Sequence, residues 1–227
     1  MDRPVGPPVE TCLAKSPPRI SFPGRVVRLE PLDTCHINDL YECISQPEHA
    51  ALWTYIPDGP FEDKASFSAH ITRLSQSKDP LLYSVIDQAQ GKAVGYLALM
   101  RIDLKNRVVE VGHVVFSPLL QRTTAATEAF YIVATAVFEE LGFRRFEWKC
   151  DHLNAPSRRA AARFGFTPEG VFRQHMVIKG RSRDTAWFSI LDSEWPALKA
   201  SFEKWLDPNN FDADGKQRGS LASFRGL

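Results

Sequence analysis

The segment Phe116–Ala129 joins the end of a predicted strand to the start of the most regular helix in the chain. The first-turn backbone N–H groups and positive dipole end of such a helix suit a phosphate group. Small side chains at Ala125 and Ala126 let a ligand approach the backbone. Arg122 adds charge, and Glu128 is expected in the first turn, where an acid suits the dipole. On spacing alone, a capped helix with an exposed loop also accounts for this segment. A P-loop is excluded because no GxxxxGK[ST] is present.

A second segment with candidate functional residues covers positions 147–166. Asn154 is a favourable N-cap for a short helix, and Gly165 is a favourable residue for ending it. Capping explains both residues, so their spacing alone supports no catalytic claim. The six histidines show no HExxH or comparable spacing, and the sequence predicts no metal site.

Hydrophobic periodicity predicts elements in the order β-α-α-β-β-β-α-β-α-β-β-α around these segments. The predicted strands are Arg25–Leu29, Leu81–Ile86, Val94–Ile102, Val108–Phe116, Arg145–Cys150, Gly170–Ile178 and Asp184–Leu191. The first predicted helix starts at Asp33, and the second carries an apolar stripe at Phe67, Ile71 and Leu74. Three further predicted helices span Ala125–Leu141, Asn154–Phe164 and Ser193–Leu206. The strand–helix–strand crossover through the longest helix favours a parallel pair within a mixed sheet. The expected fold class is α/β.

Composition limits the classes of protein that the chain can belong to. Its 227 residues are 44% hydrophobic and 24% charged, which is typical of one globular domain. A formal net charge of +1 gives no electrostatic case for a nucleic-acid or membrane partner. The four cysteines form no CxxC pair, which favours reduced thiols, and neither a signal-peptide core nor a transmembrane stretch is present. The sequence therefore predicts a soluble, cytoplasmic protein.

The two ends of the chain differ from its centre. Six of the 16 prolines lie in residues 1–24, which predicts an extended arm that lies on the surface or is disordered. Residues 207–227 are rich in Asn, Asp, Gly and Ser and are predicted to form a polar tail. The domain is expected to span residues 25–206.

Several short motifs follow one another in a set order across residues 26–206. They are Val27–Leu32, Glu110–His113, Ser117–Ala129, Asn154–Phe166, Glu169–Arg173 and Lys179–Thr185. Together they resemble the GCN5-related N-acetyltransferases (GNAT), specifically the ribosomal-protein alanine acetyltransferase-like (RimJ/RimL-type) branch. The resemblance implies the GNAT fold, a mixed and mostly antiparallel sheet whose splayed parallel strand pair binds acetyl-CoA.

The resemblance also implies which residues bind acetyl-CoA, the expected cosubstrate. Pantetheine is expected to bond to the backbone of Val114 and Phe116, where one parallel strand separates from the other. The remaining implied contacts are the pyrophosphate loop Gln121, Arg122, Thr123, Thr124, Ala125 and Ala126, and then Asn154, Ser157 and Phe164. Thr124 stands where the family pattern has glycine. Because a β-branched residue is unfavourable at positive φ, the loop is expected to use ordinary dihedrals there.

The implied mechanism is direct attack of a neutral amine on the thioester. Deprotonating a lysine-type amine at pH 7 costs about 4–5 kcal/mol, whereas an α-amine costs about 1 kcal/mol. Glu110 is the candidate general base, and the alternative is a solvated residue of the sheet face that makes an ion pair. Ser157 either protonates the departing CoA thiolate or only bonds to pantetheine. His113 is expected to be a structural, hydrogen-bonded histidine, and a backbone N–H within Val114–Phe116 is expected to polarise the thioester carbonyl.

The acceptor is expected to be a primary amine on a protein or peptide N-terminus, an amino acid or a small molecule. The loop Trp53–Pro60 and the turn Lys179–Asp184 are expected to line its pocket, and the enzyme is expected to be a monomer or homodimer. One alternative is a noncatalytic acyl-CoA-binding module with the same fold. Another is a nucleic-acid-binding module that uses Arg144, Arg145, Lys149, Arg158, Arg159 and Arg163, although these residues more readily meet CoA phosphates or nearby acids.

Overall fold

An eight-stranded sheet with the order β1-β2-β3-β4-β5-β6-β8-β7 forms the centre of the protein. The strands are β1 (Phe22–Pro23), β2 (Val27–Pro31), β3 (Leu81–Asp87), β4 (Lys92–Asp103), β5 (Val108–Phe116), β6 (Arg145–Asp151), β7 (Thr167–Ile178) and β8 (Arg181–Leu191). This computed structural model describes residues 3–225, so two residues of the predicted arm and two of the predicted tail lie outside it. Strands β5 and β6 are parallel, and the other neighbouring pairs are antiparallel. The α/β fold class with a mixed, mostly antiparallel sheet is confirmed.

The helices are α1 (Ile37–Ile44), α2 (Lys64–Ser75), α3 (Thr124–Thr135), α4 (Ala155–Phe164) and α5 (Trp195–Leu206). Every predicted strand and helix is present, with ends that differ by a few residues. The predicted helix Ala125–Leu141 changes to a π-helical turn at Ala136–Glu140. Short 3₁₀ segments at Thr34–His36 and Pro47–Trp53, and the two-residue strand β1, were not predicted. Within residues 3–225, no helix is both long and apolar enough to cross a bilayer.

Helices cover both faces of the sheet, although unequally. Helices α3, α4 and α5 cover the back face, whose core includes Val111, Trp148 and Ile190. Helices α1 and α2 cover the opposite, front face over β2–β4, where Tyr96 and Ala98 are buried. Side chains alternate between the faces. The registers Met100↔Glu110, Glu110↔Glu147, Glu147↔Ser189 and Lys149↔Trp187 therefore continue the front face across β5, β6 and β8.

The parallel strands β5 and β6 separate part of the way along their length. Their pairing runs from Val108↔Arg145 to Val111↔Trp148, whereas β5 continues to Phe116. A bulge accompanies the separation, because Ala98 pairs with Gly112 and Tyr96 pairs with Val115, which leaves an extra residue on β5. A bulge bends its strand and increases the local twist. The predicted splay of the parallel pair is thus present.

Both terminal segments pack against the domain within the described residues. In the arm, the backbone N–H of Ala14 donates to Leu104 O at 3.0 Å, and Tyr83 donates its hydroxyl proton to Pro18 O at 2.6 Å. In the tail, Leu221 is buried and Trp205 Nε1 donates to Gln217 Oε1 at 2.7 Å. The proposed division at residues 25 and 206 remains a prediction from the sequence.

Candidate active site

The gap between β5 and β6 forms one half of the candidate site. Val114 and Phe116 lie on the free part of β5 and are half-buried. One edge of this segment pairs with β4, so the opposite edge faces the gap. Gln121 lies beside the end of β5, and its side-chain amide donates to Phe116 O at 2.8 Å. The structure therefore brings Phe116 and Gln121 together, two residues that were both expected to contact acetyl-CoA.

The N-terminus of α3 forms the other half of the site. Thr123 is the N-cap, and its hydroxyl oxygen accepts a hydrogen bond from the Ala126 N–H at 3.2 Å. The N–H groups of Thr124 and Ala125 precede the first intrahelical bonds and are available to an anion. Thr124 is the first helical residue, whereas Arg122 has the positive φ of 63°. The loop accordingly uses ordinary dihedrals at Thr124.

Glu128 does not have the role expected from the sequence. It lies beyond the first turn of α3 and is buried, with 5% of its surface exposed. Its carboxylate accepts hydrogen bonds from the backbone N–H groups of Arg25, Val26 and Val27 at 3.0, 2.7 and 2.9 Å. The expectation of a first-turn acid was wrong, because these long-range contacts hold Glu128 against the start of β2.

The loop between β6 and α4 positions Ser157. The Asn154 side chain caps α4 by accepting from the Ser157 N–H at 3.1 Å. Ser157 Oγ accepts a hydrogen bond from Trp148 Nε1 at 2.9 Å, so its hydroxyl proton can donate to another acceptor, and the Cys150 thiol is one neighbour within reach. Phe164, at the other end of α4, is buried and stacks on Phe130 with ring centroids 4.3 Å apart. Phe164 therefore shapes the aromatic core beneath the site.

Glu110 lies at the centre of a row of charged side chains on the front face. It is buried, and its Oε2 contacts Arg101 Nη1 at 2.5 Å and Lys149 Nζ at 2.9 Å. Lys149 Nζ also contacts Glu147 Oε2 at 2.7 Å and lies 3.8 Å from the ring centroid of Trp187. The ion pair expected in the alternative is therefore present, but Glu110 is buried and not solvated, because the sheet face is covered at this position. Two cations compensate its carboxylate, which disfavours direct removal of a proton by Glu110.

His113 is the extra residue of the β5 bulge and has a φ of 46°. Within residues 3–225 its ring makes no hydrogen bond, so the expectation of a hydrogen-bonded structural histidine was wrong. Burial lowers the pKa of His113, and the positive charges of Arg73 and Arg101 lower it further. The carboxylates of Asp58 and Glu110 oppose this change. The neutral ring thus has a lone pair available at neutral pH, beside the free part of β5.

The two predicted acceptor walls meet on the front face. Lys179 Nζ donates to Trp53 O at 2.7 Å, which joins the turn after β7 to the loop before α2. Trp53 is buried and packs edge-on against Phe61 with centroids 5.0 Å apart. Tyr55 donates its hydroxyl proton to Leu153 O at 3.2 Å, so the same loop also reaches the β6–α4 connection.

His70, which was not predicted from the sequence as a functional residue, lies on α2 behind these walls. Its Nδ1 is 3.8 Å from Asp58 Oδ1 and 3.1 Å from Arg73 Nη2, and its Nε2 is buried without a partner among the described residues. Burial lowers the pKa of His70 to about 4, although Asp58 opposes the change. A histidine beside Ile71 in an apolar helical stripe was the signal available in the sequence.

The basic residues of the predicted nucleic-acid surface are largely occupied by other contacts. Arg145 and Lys149 form ion pairs with Glu147, and Arg145 also pairs with Glu169. Arg163 donates to Thr127 Oγ1 at 3.0 Å. These contacts disfavour a free basic surface for nucleic acid. In the part of the chain that the structure describes, no three His, Cys, Asp or Glu side chains cluster in a way that could hold a metal ion.

The family described as acetyltransferase (GNAT) domain matches residues 27–167. A GCN5-related N-acetyltransferase from Brucella melitensis has a crystal structure with a TM-score of 0.93 and 49% identity, covering 95% of this chain and 98% of that chain. A structure titled a probable GNAT-family acetyltransferase, from Chromobacterium violaceum ATCC 12472, has a TM-score of 0.78 and 38% identity, covering 86% of this chain and 100% of that chain. A Bacillus subtilis (strain 168) protein, named "Putative ribosomal N-acetyltransferase YdaF", is 29% identical over 109 residues, which are 48% of this chain and 59% of the relative.

Proposed function

Because the chain belongs to the GNAT acetyltransferase family and is an acyltransferase, we propose that it transfers an acetyl group from acetyl-CoA to a primary amine. The observation that carries the proposal is the gap between β5 and β6 next to the capped N-terminus of α3. The gap offers strand backbone to an extended amide-containing chain, and the helix end offers N–H groups to a phosphate. Acetyl-CoA has both features.

We assign the binding of acetyl-CoA to three groups of residues. The backbone of Val114 and Phe116 faces the gap, and the loop Gln121–Ala126 carries the first-turn N–H groups of α3. Asn154 and Ser157 lie across the gap, at the start of α4. Acetyl-CoA supplies the activated acetyl group, and the backbone beside the bulge offers an N–H group to the carbonyl oxygen.

The amine must lose a proton as it attacks, and we assign His113 as the acceptor of that proton. Its ring is neutral, makes no hydrogen bond within residues 3–225, and lies next to Val114. Glu110, the base expected from the sequence, is held by Arg101 and Lys149. Its proposed role is to fix the positions of these two cationic side chains on the front face. The neutral imidazole is the better acceptor because no ion pair has to be broken first.

Ser157 is proposed to stabilise the leaving thiolate. Its oxygen accepts from Trp148 Nε1, which directs the remaining hydroxyl proton away from the indole and toward another acceptor. A thiolate is a good leaving group, with a thiol pKa near 8.5 taking cysteine as a guide. We therefore expect Ser157 to contribute a hydrogen bond rather than an obligatory proton transfer.

The acceptor class proposed here is a primary amine on a protein or peptide N-terminus, an amino acid or a small molecule. The relative named a ribosomal N-acetyltransferase supports the RimJ/RimL-type branch, and an α-amine at a protein N-terminus belongs to this class. Such an amine needs little assistance to lose its proton at pH 7, about 1 kcal/mol.

The test is release of free CoA thiol from acetyl-CoA in the presence of peptides, amino acids, polyamines and amine-bearing drugs. Mass spectrometry of each mixture identifies the product. We expect an acceptor that is heavier by one acetyl group. Tight binding of acetyl-CoA with no transfer to any amine would instead favour the noncatalytic binding module, and absence of binding would refute the assignment of the gap.

A further inference from the structure

Two buried hydrogen-bond donors on the front face of β8 have no acceptor among residues 3–225. They are Arg183 Nε and Trp187 Nε1. Side chains four residues apart on a strand point to the same face, so both donors lie on one side of the sheet. An indole N–H and a guanidinium donate but cannot accept hydrogen bonds. Each of the two donors therefore lacks an acceptor, such as an oxygen atom, within the described residues.

The charge of Arg183 also lacks a direct counter-ion. Within the described part of the chain, no carboxylate lies within ion-pair distance of its guanidinium. Burial lowers the pKa of Arg183, and the positive charge of Arg101 lowers it further. The nearby groups Asp151, Cys150 and Glu110 oppose this change. Glu110 is already bound by Arg101 and Lys149. A half-buried guanidinium without a partner is costly, and an anion from outside the chain would remove that cost.

These donors lie on the acceptor side of the candidate site. Trp187 is opposite Lys149, whose ammonium group contacts Glu110 at 2.9 Å. The turn between β7 and β8, which ends three residues before Arg183, reaches the loop before α2 through Lys179 and Trp53. Arg183 is consequently on the front face, between the charged row and one wall of the acceptor pocket.

We propose that Arg183 and Trp187 bind a carboxylate of the amine acceptor. The inference rests on the proposed function and narrows its substrate class to amines that carry a carboxylate. A planar guanidinium fits a carboxylate with two parallel hydrogen bonds, and the indole N–H adds a third donor. The carboxylate has two sources, the α-carboxylate of a free amino acid and the side chain of an acidic residue at a peptide N-terminus.

The experiment compares matched acceptors in the thiol-release assay. One arm uses the standard L-amino acids against their carboxamides. The other arm uses the C-terminally amidated peptides Glu-Ala-Ala and Gln-Ala-Ala. We expect kcat/KM to be about tenfold to a hundredfold higher for the carboxylate-bearing member of at least one arm, as is typical of hydrogen bonds to charged groups. The arm with the preference identifies the source of the carboxylate.

Variants then assign the preference to the two donors. Arg183→Met is expected to abolish the preference for the carboxylate-bearing acceptor, while Arg183→Lys keeps part of it. Trp187→Phe retains the ring and loses the N–H, and we expect a fall of about threefold to tenfold for the carboxylate acceptor alone. Arg218→Met, which removes an exposed arginine of the C-terminal segment, is the charge-matched control.

The outcomes separate this inference from the function on which it rests. If wild type acetylates carboxamides as well as acids in both arms, the carboxylate site is refuted and the acetyltransferase proposal stands. A preference that survives in folded Arg183→Met also refutes it. If no amine is acetylated at all, both proposals fail. The wild-type comparison decides the matter even if a variant does not fold.

Discussion

Replacing His113 by Asn tests the proposed base most directly. His113 has a φ of 46°, and Asn is among the non-glycine residues that adopt positive φ most readily, so the bulge of β5 should be retained. The amide of Asn cannot accept a proton near neutral pH. General bases contribute about 10²–10⁴-fold to rate, and an α-amine, which is easily deprotonated, belongs at the low end of that range. We therefore expect kcat/KM to fall about a hundredfold at pH 8.

The pH dependence of this effect makes the prediction specific. Burial lowers the pKa of His113 below its usual 6.5, so the ring is neutral at pH 7 and above. Below the pKa of His113 the wild-type base is protonated, and the advantage of wild type over the variant should shrink about tenfold per pH unit. The ratio of kcat/KM for the two proteins cancels the ionisation of the amine itself. It should be constant at high pH and fall on the acid side.

The measurement is kcat/KM for one acceptor between pH 5 and 8.5, with circular dichroism to check folding. Glu110→Gln is the matched comparison, since it keeps the size of the side chain and removes the candidate base expected from the sequence. A ratio of wild type to His113→Asn that is near one, or that is large and does not change with pH, would refute His113 as the base. A pH-dependent ratio that instead appears for Glu110→Gln would transfer the role to Glu110.

Three further predictions concern stability and the leaving group. Glu128→Ala leaves three backbone N–H groups without their acceptor and should lower the free energy of unfolding by about 3 kcal/mol in urea titrations, whereas exposed Glu140→Ala should change it by less than about 0.5. Because the folded-state pKa of His70 is about 4, below the unfolded value near 6.5, its stabilising contribution is present above pH 6.5 and is lost as pH falls toward 4. Acid should therefore cost up to about 3 kcal/mol in wild type and less in His70→Gln, and equal losses in both would contradict the argument. Ser157→Ala should lower kcat by about tenfold or less, since the thiolate leaves readily, and a loss beyond a thousandfold would indicate obligatory proton donation.

The sequence allowed the order of the elements to be predicted because its strongest signals are local. The apolar period of α3 and the crossover from β5 to β6 require only the residues of those elements and the handedness of connections. The end of α3 was less predictable. The turn Ala136–Glu140 keeps an apolar helical pattern, and periodicity alone does not distinguish a π-turn from an α-turn.

Other features depend on contacts between distant parts of the chain. Glu128 looks like a helix-start acid in sequence, but its three partners lie more than a hundred positions earlier. The bulge at His113 follows from the pairing of β5 with β4, which sequence alternation does not reveal. Arg183 appears in sequence only as part of a turn, and its lack of a partner among residues 3–225 is visible only once β6 and β8 are aligned.

The charges of the front face explain why the base and the anion site are assigned to different residues. Glu110 is close to the acceptor side and is the obvious acid in sequence, yet Arg101 and Lys149 already bind its carboxylate. Lys149 bridges the buried carboxylates of Glu110 and Glu147, and its removal would leave Glu110 paired with Arg101 and Glu147 paired with Arg145. Within residues 3–225 Glu110 makes no ion pair with Arg183, although its charge and that of Asp151 act on the guanidinium from farther away. The proposed roles therefore fall to two other groups. The neutral imidazole of His113 accepts the proton of the amine, and the guanidinium of Arg183 binds a carboxylate of the same acceptor. Together they match an amine that bears an acid.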